Sequence, residues 1–309
     1  VERSQSGDTF YVEPSSVMEL HNQITELIFK IERIEQEILR ELSLKVLRYA
    51  EKIKIFSNIV VNLDVAISCC EWSSLVGASY PFLAERESGI NLHQARHPGL
   101  IKKIGLEQAE PLSLRLGDAY DLLVVTGPNT GGKTLVLKTL GVATWMANCG
   151  LPICANSGSQ LVWVDKIFAD LGDAQSIEQS LSTFSGHLVR IQNVLTEASS
   201  SSLILLDELG TGTDPEEGTA IGQAVLENLL ERKSLCVANT HLGRLKLFSI
   251  NVERAENASM EFDPADLLPK FRLLVGVPGA SHAVEVAEGI GFDSAVLARA
   301  RELASRESN

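Results

Sequence analysis

The chain has 309 residues, of which 45% are hydrophobic, and a formal net charge of -13. This size and composition allow one or two folded domains with a substantial core. The acidic balance argues against a surface coated with Lys and Arg, so any nucleic-acid contact is expected to be local or to lie outside this segment. The five cysteines have neither C-x-x-C spacing nor the density of a secreted disulfide scaffold, which indicates a reducing compartment.

The first strongly patterned segment is helical. It follows a short strand expected at residues 9–12, and residues 17–55 contain neither Gly nor Pro. Apolar residues recur there at steps of three and four, close to the spacing of a coiled-coil seam. They are Leu20, Ile24, Leu27, Ile31, Ile34, Ile38 and Leu42. Two interpretations stay open: a long helix packed on its own domain, and a lever or dimerising arm.

From Gly99 onward, short β-rich runs alternate with helical patterns, which is typical of a parallel sheet flanked by helices. Strands are expected at 122–126, 160–164, 203–206 and 235–238. Helices are expected at 134–147, 184–197, 216–231 and 295–306. The sequence therefore predicts an α/β fold with a parallel-sheet core.

A glycine-rich loop lies between the first of these strands and the first helix. It fits the pattern G-x-x-x-x-G-K-[ST], whose backbone amides surround a β-phosphate while the following helix presents its positive end. The loop consists of Gly127, Pro128, Asn129, Thr130, Gly131, Gly132, Lys133 and Thr134. Lys133 is expected to neutralise the β and γ phosphates, and Thr134 to coordinate Mg²⁺. We therefore expect ATP and Mg²⁺ as ligands.

Two further strands deliver polar residues to the same edge of the sheet. The apolar run 203–206 ends in Asp207 and Glu208. Asp207 is suited to hold Mg²⁺, and Glu208 to orient and deprotonate the attacking water. The run 235–238 leads to His241, a candidate sensor of the γ-phosphate. Glu208, His241 and Lys133 form the expected catalytic set, and Asp207 and Thr134 are the expected Mg²⁺ ligands.

These segments resemble the MutS family of ABC-type ATPases. The resemblance rests on Thr126-Gly127-Pro128-Asn129 with Gly132-Lys133, Arg96-His97-Pro98, Asp207-Glu208-Leu209-Gly210 with Gly212-Thr213, and Asn239-Thr240-His241. Similarity to the type II branch of this family is found in five segments, which are 10–14, 168–173, 175–185, 207–218 and 276–281. The resemblance implies a helical lever or core region over residues 1–85. It also implies an ABC-type P-loop ATPase domain over 86–309, with a C-terminal helical dimerisation segment.

The resemblance also implies a homodimer with two composite ATP sites. Ser182, Thr183 and Phe184 match the signature segment that faces the partner's nucleotide, and Asp214 would lie at the dimer seam. From the residues alone, Ser182 is equally consistent with a simple helix N-cap. The mismatch reader of classical members and the nuclease domain of the type II branch are not expected in this sequence.

For this branch, the resemblance implies action on branched or mismatched DNA, with suppression of recombination, or on stalled ribosomes and their rRNA. A nucleotide-gated dimerisation module, in which hydrolysis is incidental, is the alternative. The longest uninterrupted apolar runs fall short of the roughly 20 residues that cross a bilayer, so no membrane partner is expected. The expected location is cytoplasmic, or an organelle such as the chloroplast if a targeting peptide has been removed.

Overall fold

The computed structural model describes residues 2–3, 10–11, 14–127, 131–172, 183–263, 268–277, 287–288 and 291–307. The chain divides into two compact units, Val1–Ser68 and Cys69–Asn309. Each unit is described by itself below.

The first unit is dominated by helix. Strands β1 (Glu2–Arg3) and β2 (Phe10–Tyr11) pair antiparallel, and helix α1 (Ser15–Leu47) follows. The single helix predicted over 17–55 was wrong, because α1 ends at Leu47 and a new helix, α2 (Ala50–Val76), begins after a turn. In that turn the amide of Tyr49 donates to the carbonyl of Val46 at 2.9 Å. No Gly or Pro marks the break, so the sequence pattern carried no sign of it.

The apolar side chains of α1 and α2 are largely exposed, including those of the predicted seam. By length and composition α2 is also apolar enough to cross a membrane. Uninterrupted apolar runs did not indicate this, because polar residues separate the apolar ones along α2. One such helix is weak evidence for a membrane span, since helices that pack against protein have the same composition.

The second unit contains a six-stranded sheet. Its strands in chain order are β6 (Leu122–Thr126), β8 (Lys166–Asp170), β9 (Ser202–Leu206), β10 (Leu235–Asn239), β11 (Ala255–Asp263) and β12 (Leu268–Val275). The spatial order is β12-β11-β6-β10-β9-β8. All neighbours pair in parallel except β11 and β12, which pair antiparallel. The predicted parallel-sheet α/β fold is confirmed.

A smaller sheet of four strands has the order β3-β7-β4-β5. Its strands are β3 (Phe82–Ala84), β4 (Ile90–Ala95), β5 (Leu112–Leu116) and β7 (Gln160–Val162). A short 3-10 helix, Arg86–Ser88, precedes β4, and helix α3 (Pro98–Ile104) follows it. The strand expected at 160–164 thus belongs to this sheet and not to the parallel one.

Five helices complete the described part of the second unit. They are α4 (Lys133–Asn148), α5 (Thr183–Glu197), α6 (Pro215–Glu231), α7 (Gly243–Asn251) and α8 (Ser294–Glu307). Four of them lie within a residue or two of the predicted ranges, and α7 was not predicted.

The core lies on both faces of the parallel sheet, because successive side chains of a strand point to opposite faces. Leu123 and Val125 of β6 belong to a buried cluster with α4 and the smaller sheet. Leu122 and Val124 belong to a second cluster with α5, α6 and α7. Strands β6, β9 and β10 are buried along their whole length. This packing fixes the carboxyl ends of three neighbouring strands side by side.

Candidate functional site

The glycine loop connects the end of β6 to the start of α4. Gly127 has a φ of 125°, and Gly132, the N-cap of α4, has a left-handed φ of 88°. A Cβ on Gly132 would lie 3.0 Å from Cδ1 of Phe271, so glycine is required there for both conformation and space. Pro128, Asn129 and Thr130 lie outside the described residues.

Lys133, the first residue of α4, is buried although it is charged. Its side chain is 4% exposed, and Nζ donates to the carbonyl oxygen of Gly127 at 2.5 Å. Burial lowers the pKa of the Lys133 ammonium, and the nearby charge of Lys246 lowers it further. The negative charges of Asp207 and Glu208 act in the opposite direction and raise it. The lysine is thus held in place beside the loop, in surroundings where burial disfavours its charged form.

Asp207, directly after β9, joins the loop side of the site to the neighbouring strand. The hydroxyl of Thr134 donates to Asp207 Oδ2 at 2.6 Å, and the amide of Asn239, at the end of β10, donates to Oδ1 at 2.9 Å. The hydroxyl and the carboxylate oxygen are hard donors of the kind that Mg²⁺ prefers. The chemistry of this donor set therefore fits a magnesium ion.

Asn239 has a role that sequence reasoning missed. It was recognised only as part of a family motif, yet it is fully buried and orients the carboxylate of Asp207. Its Oδ1 is buried without a hydrogen-bond partner among the described residues. The signal in the sequence was its position at the end of an apolar strand, next to the expected γ-phosphate sensor.

Glu208 occupies a strained backbone position. Its φ is 51°, in the left-handed region that non-glycine residues seldom adopt. The turn is fixed from both sides, since the amide of Thr211 donates to the Glu208 carbonyl at 3.1 Å and that of Leu209 to the Asn239 carbonyl at 2.9 Å. Glu208 is half-buried and lines a small cavity beside Asp207.

The structure shows fewer contacts for the other predicted site residues. His241 is exposed, two residues beyond the end of β10. Asp214 caps α6, and its Oδ1 accepts from the amides of Glu216 at 2.9 Å and Glu217 at 3.3 Å. Ser182 lies outside the described residues, as do the side chains of Thr183 and Phe184, whose backbone begins α5.

A second carboxylate, that of Asp170, lies at the same edge of the sheet and was given no role from the sequence. It ends β8 and is 3% exposed. His187 Nδ1 lies 2.7 Å from its Oδ2, and Arg190 Nε donates to its Oδ1. The backbone amide of Asp207 donates to the carbonyl of Asp170 at 2.8 Å.

Comparison with known proteins gives one matching domain family and a set of similar proteins. The family described as MutS domain V matches residues 123–307. A protein named Endonuclease MutS2 from Clostridium botulinum (strain Alaska E43 / Type E3) is 44% identical over 308 residues, which is 99% of this chain and 38% of that protein. Endonuclease MutS2 from Alkaliphilus metalliredigens (strain QYMF) is 42% identical over the same shares. The chain thus spans less than half the length of these relatives.

Proposed function

The chain belongs to the MutS family, and from this premise we propose that it binds ATP with Mg²⁺ and hydrolyses it. The resemblance to the type II branch, drawn from the motifs, is confirmed by the relatives named MutS2. The proposal includes the ABC-type P-loop architecture of residues 86–309 and a lever role for the helical region over residues 1–85.

One contact carries the proposal. Thr134 and Asp207 are 73 residues apart in the sequence, and their side chains meet at 2.6 Å at one edge of the sheet. The first follows a phosphate-type loop and the second ends a buried strand. A loop for phosphates and a carboxylate for the accompanying cation are the two parts that a nucleoside triphosphate requires together.

Each residue then has a distinct task. The loop amides and the start of α4 receive the β-phosphate, and Lys133 supplies a buried positive charge to the β and γ oxygens. Thr134 and Asp207 would hold Mg²⁺, which neutralises charge on the phosphate oxygens when bound. Asn239 keeps the carboxylate of Asp207 in one orientation.

The hydrolytic step needs a base next to the γ-phosphate. Glu208 follows Asp207 directly, and its fixed turn limits where its carboxylate can reach. We assign it the role of accepting a proton from the attacking water as the oxygen bonds to phosphorus and the bond to the leaving ADP oxygen breaks. His241 is proposed to contact the γ-phosphate from the neighbouring strand end.

A homodimer would complete the site. In that arrangement Ser182, Thr183 and Phe184 close over the γ-phosphate bound to the partner, and Asp214 lies near the seam. The start of a helix suits this task because its free amides and positive end attract phosphate. The N-cap bonds of Asp214 support a local role in holding α6 as well.

For partners, we propose nucleic-acid structures: branched or mismatched DNA, or rRNA on a stalled ribosome. The family supports DNA binding in general, and the nuclease activity in the relatives' names is said of those longer proteins. Affinity for branched DNA and for ribosomes, measured side by side at the same near-physiological salt concentration, separates the two, because non-specific phosphate contacts with either partner weaken there.

Substitution of Glu208 tests the chemical step. Glu208→Gln keeps the shape and hydrogen bonding of the side chain but removes the base, so turnover should fall by at least about 100-fold while ATP binding persists. Glu253→Gln, an exposed change before β11, is the matched control. Equal turnover of the Glu208→Gln and wild-type chains would remove Glu208 from the mechanism and favour the nucleotide-gated dimerisation module.

A further inference from the structure

Three side chains form a buried polar cluster that the mechanism above does not use. We call Asp170, His187 and Arg190 the Asp170 cluster. Both partners of the carboxylate come from the first two turns of α5, three residues apart, which places them on one face of that helix. One oxygen of Asp170 faces the imidazole and the other accepts from the guanidinium. The cluster therefore fixes the beginning of α5 to the end of β8.

The same residue is tied to the proposed catalytic acids through its backbone. Asp170 lies opposite Leu206 in the β8–β9 register, and its carbonyl accepts from the amide of Asp207 at 2.8 Å. Asp170, His187, Asp207 and Glu208 also line one small cavity. Asp170 thus contacts α5 through its side chain and Asp207 through its backbone.

We propose that the Asp170 cluster positions Asp207 and Glu208 for hydrolysis and makes their placement depend on the position of α5. This inference rests on the proposed ATP hydrolysis. A buried carboxylate that only stabilised the fold could be paired with any nearby cation. Here both partners lie on the helix that begins with the proposed signature residues Thr183 and Phe184.

The cluster has a consequence for the proposed dimer. In each subunit the start of α5 would face the nucleotide bound to the partner, whereas Asp207 and Glu208 would face the subunit's own nucleotide. The Asp170 cluster then connects the two sites within one chain. Closure over the partner's nucleotide would set the position of the acids at the subunit's own site.

Asp121 provides a matched control for an experiment. It is as buried as Asp170, with 3% exposure in both cases, and it too is contacted by two side chains, those of Arg86 and Arg254. It precedes β6, at the opposite edge of the sheet from the glycine loop. Five residues of strand separate the two edges, which is about 17 Å.

The experiment compares Asp170→Asn with Asp121→Asn in steady-state ATP hydrolysis and in binding of a fluorescent ATP analogue. For Asp170→Asn we expect kcat to fall about 10- to 100-fold, while KM and the Kd of the analogue stay within about threefold, because positioning acts on the reacting geometry and not on phosphate binding. For Asp121→Asn, kcat and KM of the folded protein should both stay within about twofold, although thermal stability falls. A residue that only stabilised the fold would not lower kcat of the folded protein while leaving KM unchanged.

The outcomes separate the two proposals. If the wild-type chain hydrolyses ATP and Asp170→Asn retains its kcat, the Asp170 cluster is not a positioning device. If the wild-type chain itself binds no ATP, the proposed function is wrong. Should Asp170→Asn fail to fold, His187→Ala answers the same question, and unchanged kcat in that variant overturns the inference. Partial recovery of kcat in His187→Gln, which restores a hydrogen bond to Asp170, would support it.

Discussion

Replacing Lys133 by methionine should separate ATP binding from fold stability. Methionine keeps most of the volume of the lysine stem and removes the charge. Lys133 is 4% exposed and donates to the Gly127 carbonyl at 2.5 Å. In Lys133→Met the loop would retain its glycines and its helix start, but the β and γ phosphates would lose their buried cation.

The structure sets the expected size of both effects. Truncating one member of a buried charged pair costs about 2 to 5 kcal/mol, and about 1.4 kcal/mol corresponds to tenfold, so ATP affinity should fall about 30-fold to a few thousand-fold. Stability should change much less. The lowered pKa of Lys133 shows that burial of the ammonium outweighs its attraction to Asp207 and Glu208. Its removal gives up the hydrogen bond to the Gly127 carbonyl, about 1 kcal/mol, and at the same time relieves the cost of burying an ammonium.

Titration calorimetry with ATP and Mg²⁺, and urea denaturation of the nucleotide-free chain, measure the two quantities. Lys138→Met is the control, because it removes the same charge from the same helix, α4, at a position that lines a different cavity. It should leave ATP affinity within about twofold. If Lys133→Met bound ATP as the wild type does, the phosphate-loop assignment would be refuted. If Lys133→Met instead lost several kcal/mol of stability, burial of the ammonium would not outweigh its attraction to Asp207 and Glu208.

Three further predictions address the cation, the fold and the dimer. Thr134→Val should raise the Mg²⁺ concentration for half-maximal ATPase activity by at least about tenfold, because a hydroxyl donor is lost without a change of shape; a Mg²⁺ titration checks this. Asp121→Asn should lower the free energy of unfolding at neutral pH by about 1.5 to 3 kcal/mol, the range for hydrogen bonds to a charged group. Asp121 has a pKa below its ordinary 3.8, since two guanidinium groups outweigh the effect of burial. Its contribution is complete above that pH and is lost as the pH falls through the lowered value, so denaturation curves of the two proteins should converge in acid. Two inactive chains, one carrying Lys133→Met and the other altered at Ser182 and Phe184, should regain ATPase activity when they are mixed, because one of the two sites in a mixed dimer is intact. A mixture that stays inactive while mixed dimers form would contradict the shared site.

Much of the parallel sheet could be predicted because its central strands are continuous apolar runs. The segments ending at Thr126, Leu206 and Asn239 are fully buried, and each leads to a polar residue. That pattern is sufficient to bring the three strand ends to one edge. It also explains why the glycine loop, Asp207 and Glu208 were named together from the sequence.

The remaining elements depend on contacts that no local pattern encodes. β7 pairs parallel with β3 and antiparallel with β4, partners more than 60 residues earlier in the chain, so its place in the smaller sheet could not be deduced from its own residues. The break between α1 and α2 has no Gly or Pro. Asp170 was missed because the imidazole and guanidinium groups that contact it lie on a helix beyond the next loop.

The two edges of the parallel sheet differ in how completely their charges are compensated, and this difference indicates where a ligand belongs. At the edge where β6 begins, Asp121 has its pKa lowered because two arginines outweigh its burial. At the opposite edge, Lys133 has its pKa lowered because burial outweighs two nearby carboxylates, and Asn239 Oδ1 is buried without a partner among the described residues. At the first edge two guanidinium groups outweigh the burial of a carboxylate, whereas at the second the burial of an ammonium outweighs two carboxylates. An anionic ligand at the glycine loop would favour the charged form of Lys133, and a cation and its waters beside Asp207 would provide donors near Asn239.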